Sequence, residues 1–191
     1  MKLQNISSIV TGGGRGIGRS ISLKIASEGA DVAIIAEKDL KSADETAEQV
    51  RQLGRKAIVL KADVSNPDIV TEMVSKVLET FGKIDLLINN AAISLRGPLE
   101  QLSVENWDRV FAVNLKGIFL CGVAVAREMI KQSKGCIINI AAASGHRSYG
   151  GGGGRWTEQG RCDQSNKANG CGVGEIQYPR QRGGSRTDYD P

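Results

Sequence analysis

Residue types that build metal sites and disulfide scaffolds are scarce in this sequence. Its 191 residues include one histidine, His146, and four cysteines, none of them in a C-x-x-C spacing. Structural zinc and small disulfide frameworks depend on such pairs. We therefore expect no metal site. Cys121 and Cys136 lie in apolar stretches and are expected to be small buried thiols in a reducing compartment.

Long apolar runs and an excess of one charge are also absent. The N-terminal stretch MKLQNISSIVTGGG lacks the apolar core and cleavage site of a signal peptide, and no uninterrupted apolar run reaches membrane length. The net charge is +4, and the basic residues before Gly150 are interleaved with Glu and Asp. These features predict a cytoplasmic protein with neither a membrane nor a nucleic acid as partner.

Large aliphatic side chains become rare after Tyr149. Residues 150–191 contain no Leu, Phe or Met and are rich in Gly and Arg. Ordering a residue costs about 1–2 kcal/mol, and burying a large apolar side chain returns only about 1.5–3 kcal/mol. We expect residues 150–191 to be a tail that is disordered or out of frame, and residues 1–149 to form one domain. An RNA-binding Arg-Gly tail is a weaker alternative, because regular repeats are missing and acidic residues intrude.

Residues 1–149 alternate regularly between apolar strands and amphipathic helices. Ile17, Ile21 and Ile25 are predicted to share one apolar face of the first helix. The predicted strands are 6–10, 31–36, 56–63, 84–92 and 135–142; the predicted helices run from Ile17 to about Gly29, over 39–54 and 65–82, and from about Ser103. This alternation predicts an α/β fold with a doubly wound parallel sheet of the Rossmann type.

The segment TGGGRGIG, residues 11–18, joins the first strand to the first helix. Backbone amides and the positive end of the helix dipole, worth about half a charge, converge there, and the missing side chains let a diphosphate approach closely. Glycines also serve ordinary tight turns, but the strand–loop–helix context favours a nucleotide. The predicted nucleotide contacts in this loop are Gly12, Gly14, Arg15, Gly16, Ile17 and Gly18.

The end of the second strand, IIAEKD, is the expected contact with the adenosine ribose. Glu37 could accept hydrogen bonds from ribose hydroxyls and would repel a 2′-phosphate by up to about 4 kcal/mol at contact distance near a protein surface. This favours NAD over NADP as cofactor. Lys38 and Arg15 act in the opposite direction, so the predicted preference is moderate. Glu37 and Lys38 could instead be solvated loop charges.

Several motifs in order make the chain resemble the short-chain dehydrogenase/reductase family. TGGGRGIG matches the family's T-G-x-x-x-G-x-G loop, and ADVS, NNAA and VNLKG follow it in family order. The resemblance implies that Asp63, with Val64 beside it, contacts the adenine, and that Asn90, Ala91 and Ala92 line the cofactor. It also implies that Asn114 is the catalytic asparagine, which helps to hold a proton-relay water. Alone, Asp63 could cap a turn, and Asn114 could be a hydrogen-bonded residue that kinks its helix.

The chain departs from the family where the proton donor is expected. No Tyr-x-x-x-Lys occurs, because Tyr149 is followed at that offset by Gly153 and Tyr178 by Arg182. The register of the family's serine falls on Ala142, and the nearby Ser144 is out of step. A phenol near pKa 10 is a poor base unless a nearby ammonium stabilises the phenolate. We therefore expect a sheet incomplete at its C-terminal side and an inactive chain.

A displaced reading frame after about residue 154 is one explanation for the tail. Shifted by one nucleotide, the back-translated tail permits G-P-S-K-A-A-V-I and then M-A-V-E-W-G-K-Y-N-I-R-V-N, which resembles the family's catalytic-lysine helix and the strand after it. The displaced lysine falls at position 159 and its tyrosine at 155. Resequencing the coding DNA across residues 148–160 tests this hypothesis.

The resemblance implies hydride transfer between NAD(P) and a carbonyl or alcohol carbon of a small-molecule substrate. A non-catalytic nucleotide-binding protein is the alternative. Relatives usually assemble through outer helices, so a homo-oligomer is possible. In either case, the sequence predicts that the dinucleotide lies at the exit of the first strand.

Overall fold

The computed structural model describes residues 1–94 and 99–141. The expectations for Ala142, Ser144, His146, Tyr149 and the tail 150–191 lie outside the described residues.

Five strands alternate with helices along the described chain. The elements are β1 (Ser7–Thr11), α1 (Gly16–Ser27), β2 (Asp31–Ala36), α2 (Leu40–Gln52), β3 (Ala57–Lys61), α3 (Pro67–Phe81), β4 (Leu86–Asn89), α4 (Val104–Phe111), α5 (Gly117–Lys131) and β5 (Cys136–Asn139). A 3-10 turn, Leu99–Gln101, precedes α4, and a π-helical turn, Ala112–Lys116, joins α4 to α5. The predicted alternation is confirmed.

The strands form one parallel sheet in the order β3-β2-β1-β4-β5. The chain moves outward from β1 to β3 and then crosses back to place β4 on the other side of β1. In open α/β sheets, a crevice at the carboxyl ends of the strands forms where the strand order reverses in this way. The predicted doubly wound fold is therefore confirmed, and its switch point lies between β1 and β4.

Each face of the sheet packs against its own set of helices. On one face, Ile9 of β1 and Leu87 of β4 belong to the same core cluster as Val77 of α3 and Val125 of α5. All four side chains are fully buried. On the other face, the core contains Val10, Val32 and Ile34 of the sheet, Ile25 and Ala26 of α1 and Ala43, Ala47 and Val50 of α2. Because both faces are covered, the central strands consist largely of consecutive apolar residues, which is why they could be predicted as strands.

Polar side chains mark the starts of three helices. Asp39 accepts a hydrogen bond from the Ser42 amide, Asn66 from the Asp68 and Ile69 amides, and Ser103 from the Asn106 amide. Side-chain oxygens at these positions satisfy amides that a helix start leaves without partners. At the other end of α3, Gly82 adopts a left-handed conformation with φ of 77° and ends the helix.

The first turn of α1 and the junction of α4 with α5 differ from the predicted pattern. Ile21 and Ile25 pack into the core, but the Ile17 side chain is 67% exposed because the first turn of α1 opens into a cleft. The long helix predicted from about Ser103 contains a π-helical turn at its centre. Such turns insert a residue into an α-helix and are frequent at functional sites.

The two cysteines within the described residues occupy different surroundings. Cys121 of α5 is fully buried, whereas Cys136 of β5 is partly exposed. Burial raises the pKa of the Cys121 thiol to about 12. Cys121 therefore acts as a small apolar core residue.

By length and composition, the continuous helical segment Val104–Lys131 could cross a membrane, with a mean hydropathy of 1.6 in its most apolar window. In the fold, this segment presents a buried stripe to the sheet and α3, formed by Val113, Cys121, Val125 and Met129. The expectation based on uninterrupted apolar runs did not identify this segment. Of the most apolar window, 33% is buried, and Phe119 and Ile130 of this helix are exposed, so one face of the helix packs in the core and the other is open.

Candidate nucleotide-binding cleft

A cleft of about 580 Å³ opens at the carboxyl ends of β1, β2, β3 and β4. Small-molecule and cofactor sites commonly measure about 300–1,000 Å³. All twelve residues predicted to contact the cofactor line this cleft: Gly12, Gly14, Arg15, Gly16, Ile17, Gly18, Glu37, Asp63, Val64, Asn90, Ala91 and Ala92. Their contact with a nucleotide remains a prediction.

Close contacts at Gly12, Gly14 and Gly18 leave no room for side chains at these three positions of the glycine loop. A Cβ on Gly18 would lie 2.0 Å from the Gly12 carbonyl oxygen, and Gly12 itself has φ of +64°. A Cβ on Gly14 would lie 2.8 Å from the Cα of Ala43 on α2. The glycines therefore permit both the left-handed turn and the direct packing of α1 and α2 against the loop.

Thr11 and Asn90 join the glycine loop to the end of β4. The Thr11 Oγ1 accepts hydrogen bonds from the Asn90 and Ala91 amides at 2.9 and 3.0 Å. In return, the Asn90 Nδ2 donates to the Thr11 and Gly12 carbonyl oxygens at 3.0 and 3.1 Å. These four contacts hold the two sides of the switch point together and fix the floor of the cleft.

Two buried hydroxyls hold the loop from the helix side. Ser22 of α1 donates to the Gly13 carbonyl oxygen at 3.2 Å, and the Thr46 Oγ1 of α2 lies 2.9 Å from the Gly14 carbonyl oxygen. The Thr46 hydroxyl lies at the same distance from the Ser42 carbonyl oxygen, so one proton serves two acceptors. These two contacts, with the 2.8 Å hydrogen bond from the Gly12 amide to the Ile35 carbonyl oxygen, hold the glycine loop in place.

The first turn of α1 carries no capping side chain. Arg15 precedes the helix in an extended conformation and makes no side-chain cap hydrogen bond, in contrast to Asp39, Asn66 and Ser103 before the next three helices. The amides of this turn and the positive end of the helix therefore face the cleft, where Gly16, Ile17 and Gly18 form part of the lining. An anion fits this position.

Opposite charges gather where β2 and β3 end. Arg109 of α4 donates from Nη2 to the Glu37 Oε1 at 2.9 Å and from Nη1 to the Asp63 Oδ2 at 2.9 Å. Ser65 donates its amide and hydroxyl to the Asp63 Oδ1 at 2.9 and 2.7 Å. Burial alone would raise the pKa of Asp63, but the hydrogen bonds from Ser65 and the ion pair with Arg109 hold it below its ordinary value.

Asn114 lies in the π-helical turn and is 97% buried, with 3% of its surface exposed. Its side-chain amide forms two hydrogen bonds with the backbone of Ile93, donating to the carbonyl oxygen and accepting from the amide, both at 2.8 Å. Asn114 thus fixes the chain directly after NNAA. Its neighbour Val113 lines the cleft, whereas Asn114 lies behind that lining. The catalytic role remains a prediction.

Arg109 is the site residue that the sequence did not reveal. Its partners Asp63 and Glu37 are 46 and 72 residues away in the chain. The charged face of a helix gives no indication of such contacts. The only local signal is that Arg109 lies one helical turn before Val113, which lines the cleft.

Within residues 1–94 and 99–141, no three His, Cys, Asp or Glu side chains lie close enough to hold a metal ion. The residues predicted to contact a nucleotide lie at the switch point of the sheet.

Comparison with known proteins identifies relatives over most of the chain. The family model "short chain dehydrogenase" matches residues 7–153. A 3-oxoacyl-[acyl-carrier-protein] reductase from Staphylococcus epidermidis is 38% identical over 141 residues, which are 74% of this chain and 58% of the relative. An uncharacterized oxidoreductase from Thermotoga maritima is 39% identical over 146 residues, 76% of this chain and 57% of the relative.

Solved structures share the fold. A short-chain dehydrogenase from Burkholderia cenocepacia in complex with NADP aligns with a TM-score of 0.82 and 31% identity, covering 88% of this chain and 69% of that one. An NAD⁺-bound xylitol dehydrogenase aligns with a TM-score of 0.83 and 29% identity, covering 88% and 65%. The chain spans less than three fifths of the length of the curated relatives it matches. The ordered motifs, the sheet topology and these matches together place the chain in the short-chain dehydrogenase family.

Proposed function

We propose that this chain binds a nicotinamide adenine dinucleotide in the cleft at the switch point, with NAD preferred over NADP. The observation that carries the proposal is the uncapped first turn of α1, which faces a cleft lined by all twelve predicted contacts. The crowded Gly12–Gly18 contact supports the fit, because it leaves backbone rather than side chains to meet a diphosphate.

Three groups of residues would hold the dinucleotide. The amides of Gly16, Ile17 and Gly18 would face the diphosphate, Glu37 the adenosine ribose, and Asp63 with Val64 the adenine. The end of β4, from Asn90 to Ala92, would extend along the cofactor toward the nicotinamide. When bound, the nicotinamide ring supplies or accepts the hydride.

The preference for NAD rests on Glu37. Its carboxylate lines the cleft at the end of β2 and is about one third exposed. A carboxylate there can accept hydrogen bonds from ribose hydroxyls and repels a 2′-phosphate. Solved relatives bind NADP in one case and NAD⁺ in another, so family membership alone leaves the choice of cofactor to the residues of this site.

In the proposed reaction, a hydride moves between the nicotinamide and a carbonyl or alcohol carbon of a small molecule in the cytoplasm. The relative named as an acyl-carrier-protein reductase acts on a substrate of the carbonyl class. The 191 residues contain no Tyr-x-x-x-Lys, the spacing that in the family supplies a phenol and an ammonium to move the proton. We therefore propose that this chain binds the cofactor without turnover, and that any homo-oligomer forms through the outer helices.

Titration calorimetry of the full chain with NAD and NADP tests the binding proposal. We expect both nucleotides to bind, with a lower Kd for NAD. We expect Glu37→Gln to reduce the difference between the Kd values for NADP and NAD. Failure of both nucleotides to bind at millimolar concentration would overturn the proposal. With a panel of alcohols and ketones as substrates, the NADH absorbance should show no turnover above that of buffer. Measurable turnover would contradict the proposal that the chain is inactive.

A non-catalytic nucleotide-binding protein is the second candidate. The absence of Tyr-x-x-x-Lys from the sequence favours it. Both candidates require the cofactor to bind and differ in the origin of the tail. Recovery of a family-like continuation on resequencing across residues 148–160 would favour the dehydrogenase. A confirmed tail together with tight NAD binding would favour the second candidate.

A further inference from the structure

Arg109 connects the two acidic residues of the proposed adenosine subsite. Its guanidinium makes one contact of 2.9 Å with each of Glu37 and Asp63, and a third, of 2.7 Å, with the Ser65 Oγ. A planar fork of donors suits such divided recognition, which a lysine would reproduce only in part. Through these contacts, α4 is attached to the ends of both β2 and β3.

The guanidinium lies beside the two carboxylates rather than on the cleft lining, and 37% of its side chain is exposed. Within the described residues, the Glu37 Oε2 accepts no hydrogen bond, whereas Oε1 is held by Arg109. Glu37 thus lines the cleft while its Oε1 is paired with the cation of Arg109. Its charge toward a ligand is partly neutralised before any ligand arrives.

This pairing changes the electrostatics expected from Glu37 alone. An unpaired carboxylate at the end of β2 would oppose a 2′-phosphate with its full charge. With Arg109 at 2.9 Å, the same carboxylate belongs to an ion pair whose cation reaches the same region. Arg15 and Lys38 on the cleft lining add positive charge. The site thus has compensating charges at the point where NAD and NADP differ.

We propose that Arg109 is a specificity-determining residue of this site and narrows its discrimination between NAD and NADP. It does so by neutralising and positioning Glu37. The inference rests on the proposed function, because it presupposes that the cleft binds a dinucleotide. Its basis is the three contacts of the Arg109 guanidinium and the place of Glu37 on the cleft lining.

The test measures the ratio of Kd for NADP to Kd for NAD by titration calorimetry of the full chain. We expect Arg109→Met to raise this ratio by about fivefold, mainly through weaker NADP binding, because Glu37 then acts as an unpaired anion. Arg109→Lys should keep the ratio closer to that of the wild type. High salt should reduce the difference between the wild type and Arg109→Met.

Arg127→Met is the matched control, because Arg127 is exposed on α5 and makes no ion pair within the described residues. It removes the same charge and should change the ratio by less than about twofold. In a Glu37→Gln background, Arg109→Met should raise the ratio less than it does in the wild type. A shift of equal size in both backgrounds would overturn the proposed route through Glu37.

The outcomes separate the inference from the proposed function. If the wild type binds neither nucleotide, the proposed function itself fails, and the inference with it. If both bind and Arg109→Met weakens both equally, Arg109 is merely structural and the specificity proposal is overturned. An unchanged or lowered ratio has the same consequence. Circular dichroism and urea unfolding of each variant identify any loss of fold. If Arg109→Met does not fold, Arg109→Gln, which removes the charge and keeps hydrogen-bonding groups, carries the test with the same expected rise in the ratio.

Discussion

At the scale of single residues, the tightest approach in the cleft lies between Gly18 and Gly12. A Cβ on Gly18 would lie 2.0 Å from the Gly12 carbonyl oxygen and 2.6 Å from the Asn90 Nδ2. The Gly12 carbonyl group and the Asn90 side-chain amide are hydrogen-bonded to each other and connect the glycine loop to the end of β4. No flexible side-chain end is available to move away from the Gly12 carbonyl, so any enlargement must displace backbone.

We therefore expect Gly18→Ala to destabilise the chain by about 3 kcal/mol, the upper range for overpacking, and to weaken NAD binding at least about tenfold. Urea unfolding and calorimetry measure the two effects. Gly122→Ala is the matched control, because a Cβ on Gly122 in α5 meets nothing within 4 Å. That change should be neutral or stabilise by about 0.5–1 kcal/mol. Wild-type NAD affinity in Gly18→Ala would contradict the account.

Asp63 is the residue whose charge state links the site to acid stability. Its folded pKa lies below the ordinary value, so its contribution to stability is present above that value and is lost as the pH falls through the folded pKa. The free energy of unfolding should therefore decrease as the pH is lowered below about 4.

Asp63→Asn should remove part of this acid dependence and destabilise the chain at neutral pH by roughly 1 kcal/mol, since Asp63 is only partly buried. Urea unfolding at pH values on both sides of 4 provides the measurement. Asp44→Asn, at an exposed position on α2 without an ion pair in the described part of the chain, should leave the acid dependence unchanged. Identical pH profiles for Asp63→Asn and the wild type would contradict this assignment.

At the scale of elements, α2 does more than connect β2 to β3. Its first turns pack directly on the glycine loop, with Ala43 against Gly14 and the Thr46 hydroxyl near the Gly14 carbonyl oxygen. The loop is therefore held between α1 and α2 before any ligand binds. Preorganisation of this kind reduces the entropy that a bound diphosphate must otherwise overcome.

Thr46→Val keeps the shape of the side chain and removes the hydroxyl that contacts Gly14. We expect a loss of about 1–2 kcal/mol in stability and a decrease of roughly fivefold in NAD affinity, because the loop must then be ordered on binding. Thr71→Val removes a comparable hydroxyl at an exposed position on α3, where Thr71 donates to the Pro67 carbonyl oxygen at 2.9 Å. This control should leave NAD affinity unchanged. Equal NAD affinities for the wild type, Thr46→Val and Thr71→Val would exclude a role for Thr46 in preorganising the glycine loop.

The alternation of elements was predictable because each element has a physical signature in the sequence. The apolar run DVAIIA, predicted as a strand over 31–36, is β2 with the same bounds. The other boundaries lie within a few residues of prediction, and Asp39, Gly54 and Gly82 mark helix ends through caps or positive φ. The glycine loop was predictable for the same reason, since its requirement for missing side chains is local.

Features that depend on tertiary approach were not predictable. The π-helical turn at Ala112–Lys116 was missed, because the segment AVNLK contains neither glycine nor proline to mark a break in the helix. The exposure of Ile17 follows from the cleft beside it and not from the spacing of the isoleucines. Arg109 meets Glu37 and Asp63 only because α4 crosses to the ends of β2 and β3. Such contacts follow from the packing of the elements rather than from any short stretch of sequence.

At the scale of the whole molecule, the described residues form a parallel sheet with helices on both faces, and the cleft lies where the strand order reverses. The glycine loop, the end of β4 and the charged cluster at β2 and β3 all open into this one cleft. Convergence of three separate chain segments on one crevice is the arrangement that a dinucleotide requires. The central claim is that the diphosphate of this ligand meets the backbone amides at the start of α1.

An NMR titration of ¹⁵N-labelled full chain with NAD measures this contact directly. The account predicts that the amide resonances of Gly16, Ile17 and Gly18 shift progressively with NAD, while those of Glu72 and Lys76 on α3 remain in place. Binding that leaves the first turn of α1 unchanged, or the absence of any shift with either NAD or NADP at millimolar concentration, would contradict it.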